Sequence, residues 1–192
     1  MTSINMAYTN KMYPKVYRMR LSFHDVTPSD ASILAHLLVT SNESFRGRVP
    51  DQCLSFTEEE SAANWRKFLS GGLHNSHSIF IARIPSGIPV GYAWGCSTEN
   101  DPGYAGELKQ ISVLPDYHRQ GIGRALVQEV ARRLATQGIH SLSVHVLEVN
   151  PNRVFYKRLG AVYVSQHPYD WDGFITPEYV YGWQNTQVLL QS

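Results

Sequence analysis

Val113-Leu114-Pro115-Asp116-Tyr117-His118-Arg119-Gln120-Gly121-Ile122-Gly123-Arg124-Ala125-Leu126 is the stretch on which the fold turns. An apolar run ends at Val113, a polar loop follows, and two glycines open a segment of helical period. From Gly121 to Thr136, Leu126, Val130 and Leu134 fall on one line with Val127 and Ala131 beside it, while Gln128, Glu129, Arg132 and Arg133 take the solvent face. Glycine lets the backbone approach a bulky anion, and the free amides and dipole of a helix start favour negative charge there. Strand, loop and helix therefore suit a pyrophosphate. A dinucleotide fingerprint would need a third glycine near Leu126 and a tighter turn, and a P-loop would need Gly-Lys-Ser/Thr; the sequence has neither.

Working outward, the strand before the loop runs from about Gly106. Upstream of it, Ser78 to Ile84 and Pro89 to Cys96 read as a hairpin around Pro85-Ser86-Gly87. Two helices come first. One has Thr27 as N-cap, Pro28 at the first helical position and Asp30 behind it, with Ile33, Leu34, Leu37 and Leu38 as its apolar stripe. The segment from Ser44 to Pro50 breaks that helix, and a second opens at Thr57 with Glu60 and closes at Gly71-Gly72. Downstream, Ser141 to Leu147 reads as a strand, Asn150-Pro151 as the start of a helix that stops at Gly160, and Ala161 to Val164 as a strand. Residues 166–178, rich in Pro, Asp and Gly, read as a loop before a last strand from Tyr179 to Trp183. The prediction is one α/β (α+β) domain over residues 18–192 around a single mixed sheet, with residues 1–17 a flexible tail or an edge strand.

An apolar fraction of 43% supplies a core for 192 residues, and 17% charged residues is too few for a disordered chain. The net charge of +1, without any Lys/Arg run, gives no electrostatic reason to bind nucleic acid or an anionic membrane. No stretch approaches about 18–20 apolar residues, and Met1 to Val16 lacks the apolar core of a secretory signal, so a cytoplasmic protein is expected. Eight scattered His and an unpaired Cys53 and Cys96 show no metal-ligand spacing, and no metal is expected.

The loop resembles motif A of the GNAT acetyltransferase superfamily, Gln/Arg-x-x-Gly-x-Gly/Ala, and the resemblance extends over about residues 20–185. Asn150-Pro151-Asn152-Arg153-Val154-Phe155-Tyr156-Lys157-Arg158-Leu159-Gly160 is similar to its motif B. The resemblance implies a twisted, mostly antiparallel sheet of about six to seven strands with about four helices, and acetyl-CoA as donor. It places coenzyme A against Ile111, Val113, Asn150 and Tyr156 and on the amides of His118, Arg119, Gln120, Gly121, Ile122, Gly123 and Arg124. His118 departs from the usual Gln/Arg, which touches only a side-chain contribution. Tyr156 is implied as the general acid that protonates the departing thiolate.

An alkylammonium acceptor must lose a proton before it attacks. Glu107, eleven residues ahead of His118, stands at the spacing of the base in the histone acetyltransferase branch; His145 on the next strand is its rival. Simple alternation puts Glu107, Lys109, Ile111 and Val113 on one face, unless a bulge reverses the parity. The family's acceptor position suggests Phe45, Arg46, Arg48, Tyr169, Asp170, Trp171, Asp172, Tyr181 and Trp183 as lining, with an Asp170, Asp172 and Glu178 group beside the aromatics able to hold a cationic amine. The expected activity is direct acetyl transfer to a small primary amine, by a monomer or homodimer. A protein N-terminus or lysine as acceptor, and a GNAT-like acyl-CoA-binding module without turnover, remain alternatives.

Overall fold

The strand pairs join into one sheet. The computed structural model describes residues 20–72 and 76–191, so the reading of residues 1–17 lies outside the described residues. The strands are β1 (Ser22–Asp25), β2 (His77–Arg83), β3 (Pro89–Ser97), β4 (Gly106–Val113), β5 (Leu142–Leu147), β6 (Val162–Trp171) and β7 (Phe174–Trp183). They lie in the order β1-β2-β3-β4-β5-β7-β6, and every neighbouring pair is antiparallel except β4 and β5. Five helices accompany them among the described residues: α1 (Ala31–Asn42), α2 (Glu58–Ser70), α3 (Ile122–Ala135), α4 (Val154–Arg158) and α5 (Gln187–Leu190). None is long and apolar enough to cross a membrane.

The helix starts follow their caps. The Asp30 carboxylate accepts from the Thr27 amide at 2.9 Å, and Thr57 and Glu60 cap α2 reciprocally at 2.8 and 3.1 Å. On one face of the sheet, Leu126, Val127, Val130 and Leu134 of α3 pack on Phe80, Ala93, Val144 and Val146. On the other, Leu34 and Leu37 of α1 and Trp65 and Leu69 of α2 pack on Ile79, Ile81 and Tyr92.

Three readings need correction. First, β3 and β4 carry a bulge: Trp94 pairs with Gln110 but Gly95 pairs with Leu108, so Lys109 is the extra residue. One inserted residue inverts the parity beyond it. Glu107, Gln110 and Ser112 therefore share the α1/α2 side with Cys96, Trp94 and Tyr92, whereas Ile111 and Val113 turn to the α3 side. Second, residues 166–178 are mostly strand. Asp172 (φ 51°) and Gly173 (φ 85°) form a two-residue turn with both φ values positive, the geometry that Asp-Gly favours in a hairpin. Pro168 sits opposite Pro177 across that hairpin, and β6 tolerates its proline because it is the sheet edge. Third, Asn150-Pro151 opens a turn, and the helix begins only at Val154.

α3 can approach the sheet closely because β3 carries a glycine beneath Val130. A Cβ on Gly95 would stand 2.5 Å from Val130 Cγ1 and 3.2 Å from Leu134 Cδ1. Gly95→Ala is predicted to destabilise the fold by about 1–3 kcal/mol through overpacking, read as a lowered urea midpoint at unchanged m-value.

Candidate functional site

β4 and β5 pair at Gly106–Leu142 and Glu107–Ser143 and no further. The bulge at Lys109 follows at once, and beyond it the two strands form opposite walls of a cleft of about 660 Å³. Leu108 to Val113 line one wall, Val144 and His145 the other, and Tyr117, His118, Arg119, Gly121, Gly123 and Arg124 one end. The turn from Asn150 to Asn152 and Tyr156 of α4 complete it, and Ser41, Asn42, Ser44 and Phe45 line the end formed by α1.

The loop that opens α3 is wound by two positive φ values, Arg119 at 61° and Gly121 at 85°. Among the described residues, the Arg119, Gln120 and Gly121 amides reach no backbone acceptor, and a helix start leaves its first amides unpaired as well. The His118 ring donates from Nε2 to the Val113 carbonyl at 2.9 Å, tying the loop to the end of β4. The side chain at the departure from the family pattern thus holds the loop in shape. Gln120 donates to the Asp116 carbonyl at 3.0 Å, and Ile122 is buried in the core, so neither side chain lines the cleft. A Cβ on Gly123 would lie 3.2 Å from the Phe155 ring, so this glycine also lets α4 close on α3. Arg119, Arg124, Arg158 and Lys109 give the cleft a basic lining. Free amides and four cations suit an elongated polyanion.

Tyr156 is 6% exposed, and burial pushes its phenol well above the usual tyrosine range, so it keeps its proton. Glu107 is 7% exposed and lies outside the cleft lining; its carboxylate accepts from Lys109 Nζ at 3.2 Å. Next to it, burial and the Glu107 charge push the Cys96 thiol up to about 11. His145 does line the cleft. Hydrogen bonds from Nδ1 to Glu178 (3.0 Å) and from Nε2 to Asp101 (3.0 Å), opposed by burial, raise its pKa to about 9.

Of the residues expected at the acceptor, Phe45 lines the cleft and meets Trp171 edge-on at 5.5 Å. Arg46 turns away to pair with Glu43 at 2.6 Å, Arg48 is exposed outside the lining, and Asp170 accepts from the Gly173 amide at 2.6 Å in the hairpin turn. Tyr181 and Trp183 are core residues, 1% and 2% exposed, and Trp183 Nε1 donates to the Leu159 carbonyl at 2.9 Å. Alternation along β7 sends them to the α3 side. Sequence reasoning missed Ser41, Asn42, Ser44, Gln110 and Ser112. Ser41 Oγ donates to Ser112 Oγ at 3.0 Å across 71 residues of chain, and no local pattern announces such a pair.

A three-layered α/β domain with a basic cleft between diverging parallel strands, and a phosphate-type loop at its end, defines a class built to take an extended phosphorylated cosubstrate. Residues 42–161 match the acetyltransferase (GNAT) family, and the chain belongs to it. Acetyl-CoA is the cosubstrate of this family. The chain is 33% identical over 112 residues to YuaI of Bacillus subtilis (strain 168), an uncharacterized N-acetyltransferase; the match covers 58% of this chain and 65% of YuaI. A GNAT-family protein from Desulfovibrio desulfuricans superposes with a TM-score of 0.64 at 22% identity, over 85% of this chain and 98% of its own. The Salmonella typhimurium protein yncA, solved with its cofactor acetyl-CoA, does so with a TM-score of 0.61 at 14% identity, over 86% and 94%. Likeness at these identities carries the fold.

His145 gives a pH prediction. Its folded pKa of about 9 lies above the ordinary imidazole value of about 6.5, so the stability it contributes is complete below about pH 6.5 and lost as pH rises through about 9. In chelator-treated buffer His145→Gln should lower the melting temperature at pH 6, and the gap from the parent should shrink towards pH 10. A gap independent of pH would show that the imidazolium contributes only by packing.

Proposed function

We propose that this chain is an acetyl-CoA-dependent N-acetyltransferase that acetylates a primary amine on a small molecule by direct attack in a ternary complex. The observation that carries it is the cleft between β4 and β5, with Tyr156 in its wall and, at one end, loop amides that meet no backbone acceptor among the described residues. The amides of Arg119 to Arg124 would hold the pyrophosphate, with the Arg119, Arg124 and Arg158 side chains placed to neutralise phosphate charge. When bound, acetyl-CoA supplies an activated acyl group as a thioester. Tyr156, neutral and buried beside the cleft, donates its proton to the leaving sulfur.

Glu107 takes the acceptor's proton through water, since its carboxylate stands behind Lys109 rather than in the cleft. His145 is in the cleft, but at neutral pH it already carries the proton that a base must accept. A small acceptor is favoured over a peptide by the hairpin tip. Gln52 Nε2 donates to the Asp172 carbonyl at 2.8 Å, Cys53 Sγ to that of Trp171 at 3.2 Å, and Phe45 packs on Trp171. The β6–β7 tip is thus strapped to the segment between α1 and α2, which narrows the acceptor end on one side.

An acetyl-CoA consumption assay over amines, polyamines, amino acids and short peptides tests the reading; turnover with peptides alone would reverse the choice of acceptor. Gly121→Asp should weaken acetyl-CoA binding at least about tenfold by charge repulsion. A Cβ there meets nothing within 4 Å, but the φ of 85° strains any side chain, so the melting temperature should fall by the equivalent of about 1–3 kcal/mol while the fold survives. Calorimetric titration of that variant decides. Tyr156→Phe should leave acetyl-CoA affinity near the parent value and slow the chemical step at least about tenfold, since general acid catalysis contributes about 10²–10⁴-fold. Single-turnover kinetics is the measurement, and an unchanged rate would make Tyr156 a packing residue.

A further inference from the structure

Beside the cleft, on the sheet face away from α3, the tertiary structure gathers side chains from three strands. β7 lies between β5 and β6. His145 pairs with Val180, two residues along β7 from Glu178, and His167 pairs directly with Glu178, so all three side chains share a face. His145 Nδ1 stands 3.0 Å from Glu178 Oε2, and His167 Nε2 stands 3.5 Å from the same oxygen. One donor atom from each of the three residues lies within 4.8 Å of the others. Donors that share one transition-metal ion at about 2.0–2.1 Å stand roughly 3–3.5 Å apart, so small rotations close this set around an ion.

The surroundings fit as well. Asp101 accepts from His145 Nε2 with both carboxylate oxygens, at 3.0 and 3.1 Å. Asp101 is itself held by the Ser143 hydroxyl. A ligating imidazole commonly donates its other nitrogen to a carboxylate, which fixes the tautomer and raises ligand basicity. Here that arrangement leaves Nδ1 as the ligand atom facing Glu178 and His167. Two carboxylates, Asp101 and Glu178, balance the charge of a dication. Two imidazoles with one carboxylate suit zinc-class ions, whereas Mg²⁺ and Ca²⁺ prefer oxygen donors alone.

We propose that His145, His167 and Glu178 form a binding site for a divalent transition-metal ion of the zinc class, with Asp101 orienting His145 from behind. Three protein ligands leave a coordination position for water, as in zinc sites that stay open to exchange. The His167 side chain is 45% exposed and His145 lines the cleft, so the ion would sit at the rim where the cleft meets solvent.

The test is a calorimetric titration of Zn²⁺ into the full chain after chelator treatment, with Co²⁺ absorption as a second readout. The expected result is one ion per chain with micromolar or tighter affinity. His167→Ala changes an exposed residue on the edge strand, so the fold should survive, and affinity should fall at least about tenfold with loss of the low-coordinate Co²⁺ bands. Glu178→Gln should weaken binding similarly. Asp101→Asn, which removes no ligand, should weaken it about 10–100-fold. Absence of saturable binding overturns the proposal, and so does binding that His167→Ala leaves unchanged, which would place the ion elsewhere. Should Glu178→Gln or Asp101→Asn unfold the protein, His167→Ala decides alone. None of these readouts needs turnover, so failure here leaves the acetyltransferase reading standing, and the converse holds.

Discussion

A parallel pair of strands that lets go after two residue pairs governs this molecule. β4 and β5 hold together at Gly106–Leu142 and Glu107–Ser143, and the bulge at Lys109 then bends β4 out of register with its other neighbour. Continued pairing would bury the walls from Leu108 to Val113 and at Val144 and His145 against each other, and no cleft would remain. The bulge also decides which way each β4 side chain faces. It sends Ile111 and Val113 towards α3, and Ser112 towards Ser41 of α1. Opening the sheet at its centre frees β4 and β5 backbone groups from each other and leaves them to water or a ligand.

The helix that follows depends on that opening. α3 is seated against β3 through glycines, Gly95 beneath Val130 and Gly91 beneath Leu126, so its first turn arrives at the mouth of the cleft. Arg119 and Gly121 wind the loop through positive φ, and the His118 ring anchors it to Val113. Among the described residues, the Arg119, Gln120 and Gly121 amides therefore meet no backbone acceptor. Phe155 closing on Gly123 brings Tyr156 into the same wall. The loop amides and the phenol are in this way brought together by one packing contact between two helices.

The polar groups on the opposite side of the sheet follow a different logic. Glu107 and Lys109 pair within one strand, across the bulge. Asp101, Ser143, His145 and Glu178 form a connected network over two strands and the loop before β4, and His167 joins it from the edge strand. Such a network holds His145 as a cation in the absence of an ion, and the same carboxylates suit a dication. The strap between Gln52, Cys53 and the hairpin tip bounds this side of the acceptor end.

The sequence by itself determined the local events. Caps at Thr27 and Thr57, the stripe of α3, the glycines at 121 and 123 and the strand limits of β4 are short-range, because each rests on residues within about a turn of one another. The loop and motif around Tyr156 were legible for the same reason. Only the tertiary structure decided the bulge at Lys109, whose effect on parity depends on pairing with β3, and the place of Glu107 outside the cleft lining, where β4 and β5 are still paired. It decided that Tyr181 and Trp183 belong to the core, since the facing of β7 is fixed by what packs on it. The β6–β7 hairpin was masked by the polar composition of an edge strand, although Asp172-Gly173 marked its turn. His145, His167 and Glu178 carry no spacing signal because three strands contribute one residue each, and only sheet order brings them together.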